Sequence, residues 1–442
     1  MDDYRAIADE LAADIASGRL RPGDRLPPLR RYARRRGIAA STAGRVYREL
    51  TRRGLTVGEV GRGTFVRTSA PATEPALAEP GGARIDLELN FPVLREQPAR
   101  LAASLQHLLR AEALAPSLQA VGVAGTAPAR QAAAAHLARG GWTPDPRQLL
   151  FAGNGRQAIA AAIATLVPAG ERLGVESLTY PLVKGIAARL GVTLVPLAMD
   201  EHGLVPAAID AAPLLRAVYL QPALHNPLGI TMPGPRREQL AETLRRHDLF
   251  AIEDAIYGFL RTDLSPFAAL APERTIVVDS LSKRLAPGLT VGFLMTPEGR
   301  TQDVAAALRS GTWTAARFAL DAATRWMADG TAAAIEEEKR RDAATRQSLA
   351  AERLAPHTHQ ADPHAYHLWW QLPAPWRADT FVAAAARRGI AVTPSGAFAV
   401  GPAHAPHAVR LALASPPLDA LADALDVLAQ LAQGTPEDAG VD

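Results

Sequence analysis

The sequence predicts a two-part chain. A small head of three helices and a β-ribbon precedes a larger α/β body, which has an open, mostly parallel sheet and a smaller α+β lobe. Three observations predict this. Helical periodicity fills residues 4–53 and then gives way to two short strand-like runs. Thr68–Arg84, rich in Pro, Ala and Gly and without a period, reads as a semi-stiff linker. From Ile85 onward, short apolar strands alternate with helical stretches, as in a sheet built from βα units.

In the head (1–67), Tyr4, Ile7, Ala8, Leu11 and Ile15 form an apolar stripe over residues 4–17. Leu29–Arg36 reads as a second helix stopped by Gly37. Ser41–Arg53 reads as a third, with Ser41 or Thr42 as N-cap. Its apolar side is Ala43, Val46, Tyr47 and Leu50, and its polar side carries Thr42, Arg45, Arg48 and Arg52. Strands Leu55–Glu59 and Thr64–Arg67 then flank a tip that carries Arg62.

In the body (85–433), the expected strands are Leu149–Ala152, Leu173–Glu176, Thr193–Leu197, Ala217–Leu220, Phe250–Glu253, Thr275–Asp279 and Val291–Met295. Helices such as Arg156–Leu166 and Arg236–His247 separate several of them. Residues 111–318 would form the large lobe. Residues 85–110 and 319–433 would form the small one, with one long helix over Leu320–Leu354, strands near Ala365–Gln371 and Arg410–Ala414, and helices Asp379–Arg388 and Leu418–Ala432. Residues 434–442 are expected to be a disordered tail.

Composition narrows the function. There are no cysteines, so disulfides, thiolate metal sites and cysteine nucleophiles are excluded. Residues 1–20 lack a signal-peptide core and no apolar run is long enough to span a membrane, so a cytoplasmic protein is expected. Residues 1–70 hold 15 Arg and 8 acidic groups, a net charge of +7 on a body of −4. That points to a polyanion partner at one end, or to a solvated Arg-rich helix pair; charge alone does not choose. His357, His359, His364 and His367 lack helical metal-ligand spacing, and no metal site is expected.

Only three lysines occur, against 45 arginines. Lys339 sits in the charge run Glu336–Arg341 and reads as a solvated helix face; Lys184 reads as a surface residue. Lys283 follows the strand Thr275–Asp279, and ligands of open α/β folds bind beyond the carboxyl ends of strands. Only an amine condenses with an aldehyde, so Lys283 is the Schiff-base candidate. Asp254 ends another strand, where it could hold a pyridine nitrogen or be an ordinary loop acid. Gly153–Gln157 joins a strand to a helix whose N-terminal amides suit a phosphate.

The head resembles the winged helix-turn-helix of GntR-type transcription regulators. The matching residues are Ser17-Gly18-x-Leu20-x-Pro22-Gly23-Asp24-x-Leu26-Pro27, Thr42-x-x-x-Val46-Tyr47-x-x-Leu50-x-x-x-Gly54 and Gly61-x-Gly63-Thr64-Phe65-Val66. The resemblance implies double-stranded DNA as partner, met by Ser41, Thr42, Arg45, Arg48, Arg52 and Arg62. From about Leu87 to Pro416 the chain resembles fold-type I aminotransferases that use pyridoxal 5′-phosphate (PLP). The motifs are Asn154-Gly155-x-Gln157-Ala158, Thr179-Tyr180-Pro181, Asn226-Pro227-x-Gly229, Asp254-x-x-Tyr257, Ser280-x-Ser282-Lys283, Ala286-Pro287-Gly288-Leu289 and Arg410-Leu411. By that resemblance Lys283 binds the cofactor covalently and Asp254 pairs with its pyridine nitrogen. Asn226 and Tyr257 bond its phenolic oxygen, and Tyr180 stacks on the ring. Gly155, Arg156, Gln157, Ser280 and Ser282 cradle the phosphate, and Arg410 grips a substrate carboxylate. Thr290 stands where these enzymes carry a phosphate-binding arginine, for which Arg284 or Arg156 could compensate. Gln119-Ala120-Val121 lacks the tyrosine that such enzymes often lend across a dimer.

The combined layout resembles MocR-type regulators. It implies a homodimeric DNA-binding regulator that senses PLP, or a PLP adduct with an amino compound, and turns over weakly or not at all. The alternatives are a working aminotransferase with a secondary head, and a DNA-binding protein on a cofactor-free dimerisation scaffold.

Overall fold

The computed structural model describes residues 4–17, 19–20, 24–52, 55–59, 63–66, 83–355, 357–401 and 405–439. They fall into two compact units that divide near residue 77. In the head, helices Tyr4–Ala16, Leu29–Arg36 and Ala40–Arg52 precede an antiparallel ribbon of Thr56–Glu59 and Gly63–Val66. The anticipated stripe is the core, where Ala8, Leu11, Ala43, Val46, Tyr47 and Leu50 pack with Leu26, Tyr32 and Val66. Tyr47 donates to the carbonyl of Pro27 (2.7 Å), anchoring the third helix to the turn before the second. Gly37 closes the second helix at φ +69°, where a side chain would be strained. The third helix begins at Ala40, with the Ala43 amide bonded to the Ala39 carbonyl. Ser41 and Thr42 therefore lie in its first turn and are not its cap.

The body holds a seven-stranded sheet in the order 149–152, 292–295, 275–280, 250–254, 217–220, 172–176, 193–197. Gly292–Met295 pairs antiparallel with both its neighbours, and the other pairings are parallel. The helix Gly155–Leu166 buries Ala158–Ile163 against the sheet, a small-residue face that lets backbone approach backbone. A second sheet orders 359–360, 367–371, 408–412, 390–394 and 85–87, the last pairing being parallel.

Three expectations are corrected. The long helix is two, Arg317–Ala328 and Thr331–Arg353, broken where Gly330 takes φ +83°. The first belongs to the large lobe: Leu320 and Trp326 share a core with Leu101, Phe151 and Phe293. Periodicity identifies a helix but not the sheet it covers. The tail is ordered through Ala439, because Asp438 accepts from the Thr435 amide and hydroxyl and Trp376 donates to the Gly434 carbonyl (2.9 Å). Among the described residues no helix is long and apolar enough to cross a membrane.

Candidate functional site

Asp254 and Ser280 stand at the carboxyl ends of neighbouring parallel strands, which aims both toward one edge of the sheet. Lys283 follows in the short helix Leu281–Arg284. Its Nζ donates to the Asn90 carbonyl (2.6 Å) and lies 3.6 Å from the centre of the Phe91 ring. Burial, then the charges of Arg410 and Arg156, hold its pKa well below the usual lysine range. A depressed pKa yields the neutral, nucleophilic amine.

Asp254 is buried and accepts from the Tyr219 hydroxyl (2.5 Å) and the Ile256 amide (3.1 Å). Burial raises its pKa to about 6 against the lowering effect of these bonds. Gln221 bonds the same carboxylate and accepts from the Asn226 amide (3.1 Å), joining Asn226 to Asp254. The Tyr257 hydroxyl accepts from Asn90 Nδ2 (3.0 Å). Arg410, buried on the central strand of the small sheet, donates to the Glu88 carbonyl (2.7 Å) and Thr393 Oγ1 (2.9 Å).

At the start of the helix Gly155–Leu166, Asn154 Oδ1 caps the Gln157 amide (3.0 Å). A Cβ on Gly155 would meet Ser280 Oγ at 3.0 Å, so glycine keeps this turn close to the end of the strand that carries Ser280. Ser280 Oγ donates to Ser282 Oγ (3.1 Å), which bonds Thr290 Oγ1 (2.7 Å). Thr290 thus completes a row of hydroxyls. Arg156 is exposed and hydrogen-bonds Tyr180.

Arg284 does not serve as the compensating cation. It is fully buried and donates to Asp279 Oδ2 (2.8 Å) and Glu336 Oε1 (2.9 Å), with its pKa raised by those two carboxylates despite burial. Neither remaining lysine is a surface residue. Lys339 is fully buried, and its Nζ donates to the carbonyls of Lys283 (3.0 Å) and Leu285 (2.5 Å). Lys184 is partly buried and donates to the carbonyls of Ala397 (2.5 Å) and Ala399 (3.2 Å). Sequence reasoning also missed Asn90, Phe91 and Tyr219. Tyr219 had one signal, its place on a strand beside Asp254; Asn90 and Phe91 had none.

Among the described residues, four buried polar atoms of this set lack a protein partner: Asn90 Oδ1, Gln157 Oε1, Asn226 Oδ1 and Arg410 Nε. A buried, unpaired polar atom is costly unless a ligand or water completes it. A partly neutral amine, a buried carboxylate, a phenol and a capped helix start with adjacent hydroxyls form a donor set that fits a phosphorylated pyridine aldehyde.

In the head, Ser41, Arg45 and Arg48 lie exposed along one side of the third helix, with Thr42 partly buried. Arg45 packs against the Tyr4 ring (5.9 Å). Arg62 and the Arg52 side chain lie outside the described residues.

Comparison with known proteins settles the family. Residues 86–428 match the family described as aminotransferase class I and II, and residues 3–66 match bacterial regulatory proteins of the gntR family. The chain is 30% identical to the uncharacterized HTH-type transcriptional regulator YdeF of Bacillus subtilis, over 97% of this chain and 94% of that one. It belongs to the MocR-type transcriptional regulators. Similarity extends to the pyridoxine biosynthesis regulator PdxR of Corynebacterium glutamicum (28% identity over 66% of this chain and 65% of PdxR). It also extends to the probable rhizopine catabolism regulatory protein MocR of Rhizobium meliloti (27%, 66% and 65%). Among solved structures, the α-aminoadipate aminotransferase LysN of Thermus thermophilus, complexed with N-(5′-phosphopyridoxyl)-L-leucine, superposes with a TM-score of 0.71 over 79% of this chain and 92% of LysN. At 21% identity that likeness shows the fold. In this MocR-type chain the GntR-type head implies DNA binding.

Proposed function

We propose that this regulator binds PLP at Lys283 and that its ligand state, as PLP or as an adduct with an amino compound, sets its affinity for an operator. The observation that carries the reading is the convergence on Lys283 of Asp254, Tyr257, Arg410 and the capped helix start, with buried polar atoms left to be completed. When bound, PLP supplies an aldehyde carbon for amines and an electron-withdrawing ring. Asp254 would hold the pyridine nitrogen, with Tyr219 and Gln221 fixing its carboxylate. Asn226 and Tyr257 would bond the phenolic oxygen, and Tyr180 would stack on the ring. Gly155, Arg156, Gln157, Ser280, Ser282 and Thr290 would take the phosphate. Arg410, whose Nε is free of protein partners, would clamp an effector carboxylate.

With Arg284 committed to Asp279 and Glu336, the phosphate would be held by hydroxyls, helix-start amides and one exposed arginine. That suits a site that captures an aldehyde better than one that must retain a non-covalent cofactor through turnover. A homodimer, which the likeness to MocR-type regulators implies, would present two heads to a palindromic operator. The expected location is the cytoplasm. The relative named for pyridoxine biosynthesis supports a pyridoxal compound as effector.

The test pairs a visible spectrum of the purified chain with PLP, before and after amino acids, with affinity for a duplex selected by the protein from a random library. The reading expects a Lys283-dependent absorbance band and a PLP-dependent affinity. Arg410→Ala should blunt the response to carboxylate-bearing amines while keeping the band. Rapid multi-turnover transamination with duplex affinity indifferent to PLP would establish the enzyme instead, and no band at all would establish the scaffold.

A further inference from the structure

Glu88, Leu89, Asn90 and Phe91 form a strap across the site, and every one of them touches it or its supports. The Glu88 carbonyl accepts from Arg410, and the Leu89 carbonyl accepts from the Ser415 hydroxyl. Asn90 accepts from Lys283 through its carbonyl and donates to Tyr257 through its amide. Phe91 offers its ring face to the Lys283 amine. Asn90 is 4% exposed and its Oδ1 has no partner. The strap continues Ile85–Leu87, a three-residue strand at the edge of the small sheet, paired on one side only. In the sequence it directly follows the linker from the head.

We propose that this strap reports the state of Lys283: Asn90 and Phe91 are positioning residues that hold the free amine, and an aldehyde ligand captured by that amine displaces them. The inference rests on the assignment of Lys283 made above. A free amine donates to the Asn90 carbonyl and sits against an aromatic face. Condensation joins Nζ to the aldehyde carbon, releases the aldehyde oxygen as water and removes two hydrogens from the nitrogen. The nitrogen then has no hydrogen left for the Asn90 carbonyl, and the strap loses its donor and its amine–aromatic contact. A carboxylate on Arg410 competes with the Glu88 carbonyl in the same way. A ligand shifts an equilibrium only through its differential affinity for two states, and here the two states are strap held and strap released. Three residues of edge pairing give the strand little to resist that release.

Hydrogen–deuterium exchange on the full chain, with and without PLP, tests this, with borohydride trapping and peptide mapping on the same samples. PLP should be trapped on Lys283, and amide exchange across residues 88–94 should rise at least threefold. In Lys283→Ala, exchange there should not respond to PLP. Phe91→Leu, which keeps bulk but removes the aromatic face, should raise exchange of the PLP-free strap and bring PLP-free duplex affinity to within about twofold of the PLP-loaded value. A trapped adduct on Lys283 with unchanged strap exchange overturns the strap proposal and leaves the Lys283 assignment standing. No adduct on Lys283 overturns the assignment, and the proposal falls with it. If Phe91→Leu does not fold, the wild-type comparison with and without PLP decides alone.

Discussion

The Nζ of Lys339 lies 3.0 Å from the carbonyl oxygen of Lys283, so one buried lysine holds the backbone of another. Lys339 also donates to Leu285, whose carbonyl accepts from Gln97 as well (3.0 Å). These carbonyls belong to the last turn and the C-cap of a four-residue helix, groups that helical bonding leaves unmade. Lys339 sits on the helix Thr331–Arg353, which also reaches the carbonyls of Leu413 and Pro416 through Arg346 (both 2.7 Å). That helix therefore ties the Lys283 turn to the segment just after the strand that carries Arg410.

Burial lowers the Lys339 pKa to about 7. Between that value and the ordinary lysine range the unfolded chain binds more protons than the folded one, so this group makes stability rise with pH. A neutral amine still has two hydrogens for its two carbonyls. Lys339→Met should cost about 1–3 kcal/mol near pH 9, the penalty for leaving a buried polar group unpaired. Near pH 6 it should cost less, because there the native protein bears a buried ammonium. Urea unfolding at both pH values checks this, and an equal loss at both would contradict it.

Asp254 carries the opposite sign. Its folded pKa is raised to about 6, so between the ordinary aspartate value and pH 6 the folded chain holds the extra proton. Stability falls as pH rises through that window, by up to about 3 kcal/mol. Asp254→Asn should lose this fall, so unfolding midpoints of the two proteins should diverge between pH 4 and pH 6.5. The same substitution should weaken PLP capture above pH 6, where the native carboxylate is ionised.

How much of this could be read from the sequence depends on the range of the signal. Apart from the long helix, the helices and strands named from the sequence came within a residue or two of their ends, because apolar periodicity is local. Asp254 and Ser280 were legible because they stand at strand ends; the other residues around Lys283 were proposed from motif resemblance. The burial of Lys339 was not: Glu336-Glu337-Glu338-Lys339-Arg340-Arg341 has the composition of a solvated face. In the structure Glu336 and Lys339 point inward while Glu337 and Arg341 remain exposed. Nor could the strap be seen, since Asn90 and Lys283 meet only through tertiary packing. Arg284 showed the same limit, because its neighbours in sequence suggested a phosphate and its neighbours in space are two carboxylates.

Arg284 accordingly gives a prediction that separates these roles. Arg284→Met leaves Asp279 and Glu336 buried without their shared cation, a loss of about 3–5 kcal/mol. The denaturation midpoint should drop sharply, while PLP affinity of the folded variant stays near that of the native chain. A fall in PLP affinity at unchanged stability would restore Arg284 to the phosphate.

In the head, Arg45 and Arg48 share the exposed side of the third helix. Each phosphate contact contributes about −0.9 to the slope of log affinity against log salt. Arg45→Ala and Arg48→Ala should each weaken duplex binding and flatten that slope by about one contact if they meet phosphates. If either reads a base edge, affinity should fall at the selected duplex and much less at random sequence. Titrations at three salt concentrations on both duplexes distinguish the two. Unchanged binding in both variants would exclude this face as the reader.

The three lysines yield the last prediction. In a chain with 45 arginines, lysine survives at three positions, and at each one Nζ donates to backbone carbonyls. A lysine amine is compact with rotatable donors, whereas a guanidinium is planar with fixed ones, so the two are not interchangeable at these positions. None of the three is exposed. Lys184 and Lys339 each bond two carbonyls in packed surroundings, whereas Lys283 bonds one and faces the donor set built for an aldehyde. An aldehyde is therefore expected to meet one prepared side-chain amine. With PLP in excess and borohydride added, mass spectrometry should find one side-chain adduct per chain, on the peptide containing Lys283, besides any at the terminal amine. Lys283→Ala should remove it without a compensating adduct on Lys184 or Lys339. Comparable labelling of either of those two would show that the carbonyl cages do not shield them, and that the scarcity of lysine has another cause.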